Sequence, residues 1–285
     1  MKADGTKHLR AIRPKTVKRT AEKILLYAIL LAVGILCAGP FLWMLATSFK
    51  SGENIYELSL IPKNPTFDNY IGVVEFMDLF RYLGNTVIIT AAGILIDVSL
   101  SSLCAYPLAK YDFYGKGIVT GLLMAMQIMP ATAGMVVNYM TIGRLGLMGT
   151  YWSAILPKCV AVFSIILFRQ AYFSVPDELL EAARIDGASE LKIWYRIMVP
   201  QIIPTVSTVV IFDFVFKWND FLWPLIVLEP ERYPIAAALN YLNGAFNFNF
   251  GYIAAATVIS LIPILTIFII FQKNYINAVA GAVKG

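Results

Sequence analysis

The strongest constraint on this sequence is the recurrence of long apolar stretches separated by short polar segments. A helix needs about 20 mostly apolar residues to cross the hydrocarbon core of a bilayer. Six windows meet that requirement: 24–49, 85–109, 118–142, 151–172, 202–228 and 251–272. The chain is 59% hydrophobic and 14% charged, against about 45–50% and about 25% in soluble domains. The sequence therefore predicts an all-α integral membrane protein with six transmembrane helices.

The distribution of basic residues predicts how these helices are oriented. Six spans place both ends of the chain on one side of the membrane, and Lys and Arg are retained in cytoplasmic segments. With the ends inside, the inside segments hold sixteen basic residues and the outside loops hold five. We therefore expect cytoplasmic N- and C-termini and three parts: a basic tail over 1–22, a six-helix domain over 23–273 and a tail over 274–285.

Composition also limits which partners and which kinds of chemistry we expect of this chain. A basic run beside a spanning helix is typical of a topology signal that lies against anionic lipid, so we expect membrane lipid and no nucleic acid. His8 is the single histidine, and the three cysteines lack paired spacing. The sequence has no Gly-x-x-x-x-Gly-Lys-Ser/Thr run that would cradle ATP phosphates. It therefore predicts no catalytic residue, no metal site and no cofactor in this chain.

The charged residues inside the apolar windows include Asp97, Asp213 and Lys217. A charge at membrane depth is costly and normally faces the bundle interior or an aqueous cavity. Asp213 and Lys217 are four residues apart, so they can pair on one helix face. Two roles stay open for the three residues: pairing inside the bundle, or lining a path for a solute.

Residues 174–200 form a charged, helix-forming island between two apolar windows. Ser174 is placed to cap a first helix, and Gly187 suits the left-handed residue that ends it. Ser189 then caps a second helix, which Pro200 closes. Helices this short gain little from propensity alone. Small residues that permit close approach by a partner are Ala182, Ala183 and Ala188. The pattern indicates either a surface on which another protein packs or an amphipathic loop that touches only lipid, and the absence of a strong basic face favours the protein partner.

The same island, hereafter the EAA loop, resembles the EAA motif of membrane subunits of bacterial ABC importers. The match consists of Glu181-Ala182-Ala183, Asp186-Gly187-Ala188-Ser189, Ile197 and Pro200. The similarity covers most of the chain and points to the carbohydrate, MalG-type branch. Further matching segments are 47–50, 66–70, 85–86, 105–110, 146–150, 176–179, 218–221 and 284–285. Pro107, where the family usually has Ala, is a minor departure.

The resemblance implies a MetI-like transmembrane domain in a multi-pass protein of the bacterial cytoplasmic (inner) membrane. It implies a heterodimer with a second, homologous permease, two ATPase subunits that bind ATP and Mg, and an extracytoplasmic solute-binding protein. The segment 229–250 would approach the binding protein, and Lys284–Gly285 the ATPases. The residues implied to couple to the ATPase are Glu181, Ala182, Ala183, Asp186, Gly187, Ala188 and Ser189.

The resemblance also suggests a solute and a path for it. We expect a sugar or oligosaccharide, with a polyol-type solute as the alternative. Sugars are held by aromatic faces together with amide and carboxylate hydrogen bonds. Trp218, Asn219 and Asp220 supply these groups in a row and are the candidates for the path, with helix packing as their alternative role.

Two other functions compete with the importer. A secondary carrier would use Asp97, Asp213 and Lys217 as coupling groups, and it predicts inverted repeats, which the sequence does not show. A membrane enzyme would need a paired histidine, cysteine or carboxylate cluster, which is also missing. Neither function explains the EAA loop, so the sequence favours the membrane subunit of an importer.

Overall fold

The computed structural model describes residues 14–130, 132–245 and 249–282, and in these ranges the chain is helical with no β-strand. The helices before the EAA loop are α1 (Pro14–Ser48), α2 (Asp68–Phe76), α3 (Leu79–Lys110), α4 (Lys116–Ile128), α5 (Met135–Arg144), α6 (Tyr151–Ile155) and α7 (Val162–Phe173). From the loop onward they are α8 (Glu178–Ile185), α9 (Glu190–Ile193), α10 (Val199–Gln201), α11 (Ile203–Trp218), α12 (Leu222–Val227), α13 (Ile235–Ala245) and α14 (Phe250–Ala282). The shorter turns are 3-10 at Gly52–Tyr56, Leu156–Lys158 and Pro230–Arg232, and a π turn at Trp194–Met198 joins α9 to α10.

Three helices of the described residues are long and apolar enough to cross a membrane: Glu22–Ser48 within α1, all of α3, and Phe250–Gln272 within α14. Two further pairs qualify if each bent pair is one span. The first joins α6 and its 3-10 turn to α7 at 47°, and the second joins Glu190–Gln201 to α11 at 83°. The described chain thus offers up to five spans, and the prediction of an all-α protein is confirmed.

The remaining predicted window, 118–142, is not one helix. α4 ends at Ile128, and Met129 adopts an extended backbone with ψ 133°. Pro130 explains this end, because a proline disfavours helical geometry at the residue before it. The chain becomes helical again at Met135. The prediction of a continuous helix over 118–142 is wrong, since Pro130 divides the window.

The ends of the outer helices differ from the predicted part boundaries. α1 is helical from Pro14, the first described residue, which lies inside the basic tail 1–22. α14 continues to Ala282, past the boundary at 273. Residues 1–13 and Lys284–Gly285, which carry part of the predicted tail functions, lie outside the described residues.

α3 is the helix on which the described fold is centred. It packs mainly against α7, and also against α11 and α13. Two clusters of buried apolar side chains meet it at opposite ends. The amino-end cluster includes Leu79, Ile89, Trp223 and Ile235. The carboxyl-end cluster includes Tyr106, Phe168, Tyr172, Leu180 and Met198. Because Leu180 and Met198 belong to the EAA loop, that loop lies at the carboxyl end of α3.

Candidate functional site

The EAA loop folds into two short helices, of which α8 is the first. Glu178 and Glu181 occupy its first turn, where acidic side chains complement the helix dipole. Asp177 holds the N-cap position without a side-chain capping bond. Ser174 donates instead to the carbonyl of Ala171 at 2.7 Å, at the end of α7. The predicted helix cap at Ser174 is therefore wrong.

Gly187 turns the chain after α8 in the left-handed conformation, with φ 73°. Ala188 N donates to Ala183 O at 3.0 Å, and Gly187 N donates to Arg184 O at 3.0 Å. These are the two hydrogen bonds of a Schellman motif, the common helix end that favours glycine. The prediction of a left-handed Gly187 at the end of the first helix is confirmed.

Ser189 begins the second helix of the EAA loop. Its backbone is extended, with ψ 153°, in the predicted N-cap position, but its side chain makes no capping bond. The helix runs from Glu190 to Gln201 and bends by 83° into α11. Its charged residues are Glu190, Lys192 and Arg196. Charges at this density are costly in hydrocarbon, so we assign this helix to the membrane surface and α11 to the membrane.

The two faces of α8 differ sharply in exposure. Leu180 is 2% exposed and packs with Ala183 in the carboxyl-end cluster. Ile185 on the other side is 86% exposed, and Leu179 is exposed as well. Exposed apolar side chains grouped with polar ones mark interaction surfaces. Sequence reasoning missed Ile185, because eight residues are too few for helical periodicity to separate the outward apolar residue from the inward ones.

The seven predicted coupling residues divide between these faces. The exposed ones are Glu181, Ala182, Asp186, Gly187 and Ser189. Ala188 is half-buried, and Ala183 is buried beneath the helix. The structure therefore brings five of the seven to the surface that also carries Ile185, an apolar side chain among carboxylates.

The start of α8 is fixed to the end of α3 by a lysine. The Lys110 side chain is 4% exposed. Its Nζ donates to the carbonyl of Val175 at 2.5 Å and to Asp177 Oδ1 at 2.6 Å. Lys110 also lies in the last turn of α3, where a cation complements the helix dipole. The segment that leads into α8 is thereby held against α3.

The end of α8 is fixed by four side chains that we call the Glu190 clamp. Arg184 Nε donates to Glu190 Oε1 at 2.9 Å, and Arg184 Nη2 donates to Tyr111 Oη at 3.1 Å. Tyr106 Oη donates to Glu190 Oε2 at 2.8 Å. The hydrogen bond from the Arg184 guanidinium holds the pKa of Glu190 below its usual value, against the opposing effect of burial. Since Tyr106 belongs to α3, the clamp joins α8, α9 and α3.

A buried polar contact beneath the clamp joins α3, α7 and the π turn. Ser102 Oγ lies 2.6 Å from Tyr172 Oη and accepts a 3.1 Å hydrogen bond from Trp194 Nε1. Ser102 and Tyr172 are both buried, where polar groups need such partners. The EAA loop is therefore attached to two membrane helices by specific contacts as well as by apolar packing.

Asp97 is fully buried on α3 and accepts three hydrogen bonds. Its Oδ1 accepts from Ser101 Oγ at 2.7 Å and from Ala161 N at 2.6 Å, and its Oδ2 accepts from Ser164 Oγ at 2.7 Å. Ala161 is the N-cap of α7, so the carboxylate faces the positive end of that helix. Asp97 holds the bent join between α6 and α7 against α3.

Asp213 and Lys217 form the predicted ion pair on α11, with Lys217 Nζ 2.8 Å from Asp213 Oδ2. The stem of Lys217 crosses α3 at Gly93, where a Cβ would meet Lys217 Cε at 2.8 Å. Asp97 lies four residues after Gly93, on the same face of α3. Asp97, Asp213 and Lys217 therefore form one buried cluster shared by α3 and α11.

The three candidates for the solute path lie at the end of α11 in different surroundings. Trp218 is buried, stacks on Phe214 and donates from Nε1 to the Ser260 carbonyl at 3.1 Å. Asn219 is exposed and donates to the Val215 carbonyl at 2.8 Å. Asp220 Oδ2 accepts from Lys158 Nζ at 2.5 Å. Of the three side chains, only that of Asn219 is largely exposed.

The fold and the EAA loop together define a class: a helical membrane subunit with a short surface helix, α8, that exposes Ile185. The sequence model of the family described as "Binding-protein-dependent transport system inner membrane component" matches residues 97–280. The chain belongs to this family. It is a permease subunit of an ABC transporter and not an enzyme, since hydrolysis of ATP in such systems belongs to a partner subunit.

Individual proteins agree with this assignment. The "Probable ABC transporter permease protein YurM" of Bacillus subtilis is 32% identical, over 94% of this chain and 90% of that protein. The "Arabinooligosaccharides transport system permease protein AraQ" of Halalkalibacterium halodurans is 30% identical, over 94% and 100%. The "Melibiose/raffinose/stachyose import permease protein MelC" of Bacillus subtilis is 32% identical, over 90% and 95%.

A solved structure agrees at the level of the fold. It is described as a bacterial ABC transporter involved in the import of the acidic polysaccharide alginate. The similarity has a TM-score of 0.79 at 22% identity, and it covers 92% of this chain and 98% of that one. The chain therefore has the fold of an ABC importer's membrane subunit.

Proposed function

We propose that this chain forms half of the path through which an ATP-driven importer carries a sugar or an oligosaccharide. The named relatives support this solute class, since AraQ is named for arabinooligosaccharides and MelC for melibiose, raffinose and stachyose. The family description supports dependence on an external binding protein. A second permease completes the path, and two ATPase subunits bind the ATP and Mg. A polyol-type solute is the alternative.

The observation that carries the proposal is the form of α8. A helix on the surface presents Ile185 among Glu181 and Asp186, while Lys110 and the Glu190 clamp hold its two ends. Such a surface suits a pocket with an apolar floor and a basic rim. We assign this pocket to the ATPase, whose closure on ATP would displace α8 and open the path alternately to each side.

The orientation in the membrane is part of the proposal. We place both ends and the EAA loop in the cytoplasm and count six spans, with α4 and α5 together as the third. The excess of basic residues in the segments placed inside supports this orientation. Residues 229–250, which include α13, then lie outside, where they would meet the binding protein.

The experiment purifies the tagged chain from its host's membranes, identifies the accompanying proteins by mass spectrometry and measures ATP hydrolysis. We expect a second permease and a protein with a P-loop. Ile185→Asp should reduce the recovered ATPase about tenfold, as for an interface hot spot. Tyr114→Asp is the matched control, since Tyr114 is an exposed aromatic residue in the connection between α3 and α4.

The outcomes separate the importer from its alternatives. Equal recovery of the ATPase by Ile185→Asp and the wild type would contradict docking through α8. Purification of the chain with no ATPase would contradict the importer and favour the secondary carrier, in which Asp97, Asp213 and Lys217 are the coupling groups.

We also propose that Trp218, Asn219 and Asp220 border the solute path, with Asn219 nearest to the solute. The break between α11 and α12 places Asn219 outside regular helix, which supports this role. Asn219→Ala should lower the uptake of one sugar more than that of another in transport assays with labelled sugars. Uniform loss of uptake together with poor assembly would instead indicate helix packing.

A further inference from the structure

The last turn of α3 holds α8 at both of its ends. Lys110 binds the segment before α8, and Tyr106 reaches the residues after it through Glu190. Tyr111, immediately after α3, accepts from Arg184. Between these contacts, Leu180 packs in the carboxyl-end cluster. One membrane helix therefore supplies polar anchors to both ends of the docking helix.

We propose that Glu190 is a positioning residue that joins α8 to α3, so that an ATPase which displaces α8 moves α3 with it. The inference rests on the proposed function, because it requires α8 to be the helix that the ATPase displaces. In this role Glu190 acts through Arg184 and Tyr106 and touches neither solute nor nucleotide.

The geometry of Glu190 suits a joint between two elements. One carboxylate oxygen accepts from Arg184 on α8, and the other accepts from Tyr106 on α3. Hydrogen bonds with an ionised partner are shorter and stronger than neutral ones. The carboxylate therefore fixes both the distance and the rotation of α8 relative to α3.

Apolar packing alone would not fix that rotation. Leu180 and Ala183 attach α8 to the carboxyl-end cluster, but burial of apolar surface is non-directional. A protein without the carboxylate should keep α8 in place and keep its fold. Its α8 would turn or slip under load, and less of the displacement would reach α3.

The contacts of α3 explain why its movement matters for the path. At its middle, Asp97 holds the amino end of α7 through Ala161 N. Nearby, the stem of Lys217 lies on Gly93. Lys217 is the residue before the path candidate Trp218. A displacement at the carboxyl end of α3 therefore reaches the bend before α7 and the end of α11.

The experiment compares Glu190→Gln and Tyr106→Phe with the wild-type complex in vesicles supplied with binding protein and labelled sugar. We expect equal recovery of the ATPase and continued ATP hydrolysis. Uptake per ATP hydrolysed should fall about fivefold in Glu190→Gln, the lower range of measured coupling factors, and less in Tyr106→Phe. Tyr106 is buried on α3, so its hydroxyl cannot act by direct contact with the ATPase.

The matched control is Asp112→Asn. Asp112 forms an exposed ion pair with Lys116 at 3.2 Å, in the connection that follows α3. Such surface pairs contribute little, so we expect wild-type uptake per ATP. A second test combines Arg184→Ala with Glu190→Ala. If the two residues act as one joint, the double variant should be no worse than the poorer single variant.

Each outcome bears on a different claim. Unchanged uptake per ATP in Glu190→Gln, or multiplied losses in the double alanine variant, would overturn the positioning role. Loss of the ATPase from Tyr106→Phe would also overturn it, because the clamp would then shape the docking surface itself. Absence of the ATPase from the wild-type preparation would instead contradict the proposed function, and the positioning role with it.

Discussion

Two carboxylates, Asp97 and Glu190, each connect α3 to another helix, but their surroundings differ. Asp97 is fully buried, and its two oxygens accept three hydrogen bonds from α3 and α7. Glu190 has a side chain 49% exposed and accepts one hydrogen bond on each oxygen. An unpaired polar group in the interior is far costlier than one that water can reach. The comparison indicates a permanent connection at Asp97 and one at Glu190 that can be altered without unfolding.

Removal of Asp97 should have the largest effect. Asp97→Ala leaves Ala161 N, Ser101 and Ser164 without their acceptor, at about 1–3 kcal/mol for each buried group. We expect the variant to accumulate poorly in membranes and to unfold in detergent well below the wild-type temperature. Asp112→Ala, at an exposed carboxylate, should leave both quantities unchanged. A stable Asp97→Ala protein would show that water replaces the carboxylate and would remove the contrast with Glu190.

Substitution of Gly187 should come second, because its turn brings Arg184 back towards Glu190. Gly187→Val places a β-branched residue at φ 73°, a conformation that costs about 1–3 kcal/mol for residues other than glycine. We expect about tenfold less uptake and weak recovery of the ATPase. Gly187→Asn should be much milder, since asparagine tolerates this region. Equal loss in both variants would mean that the side chain's size, and not the backbone, is what matters there.

The third prediction concerns the pH dependence of the Glu190 clamp. The pKa of Glu190 is lowered in the folded protein, so the clamp is intact above the usual pKa of the side chain. Its contribution is lost as the pH falls through the lowered folded value. Uptake per ATP in wild-type vesicles should fall in that acidic window more steeply than in Glu190→Gln vesicles. Parallel pH profiles would contradict a role for the ionised carboxylate.

The smallest effect is expected at Lys158 and Asp220, a pair intermediate in exposure between Asp97 and Glu190. Their side chains are 45% and 19% exposed, and exposed ion pairs contribute about 0.2–1 kcal/mol. Lys158→Ala should lower the unfolding temperature in detergent by about 2 °C or less. The charge exchange Lys158→Asp with Asp220→Lys should restore it. A large loss of stability would mean that this pair, like Asp97, is a structural connection that the fold requires.

Local features were predictable where the physics is local. The spacing of Asp213 and Lys217 predicts their ion pair, and Gly187 predicts the end of α8, because both depend on residues within one turn of helix. The acceptor role of Asp97 was not predictable, because two of its donors lie 64 and 67 residues away. Its position in an apolar window indicates a buried charge but not the partner.

Other differences arise where two local rules compete. The apolar composition of 118–142 predicts one helix, whereas Pro130 predicts a break. In the structure Met129 has the extended backbone that a following proline favours. Ser174 is a common residue type at a helix N-cap, yet its hydroxyl donates to the Ala171 carbonyl at the end of α7. Ile185 required the structure, because only the packing of Leu180 decides which side of so short a helix faces outward.

The glycine at position 93 sets how α3 and α11 can move against each other. Lys217 lies in the space that a side chain would fill, and the neighbours on that face of α3 are Thr90 and Asp97. A slide of one turn, about 5.4 Å along the axis, would bring the lysine stem against one of them. The contact therefore opposes sliding of α11 along α3, and a tilt about Gly93 is the freer motion.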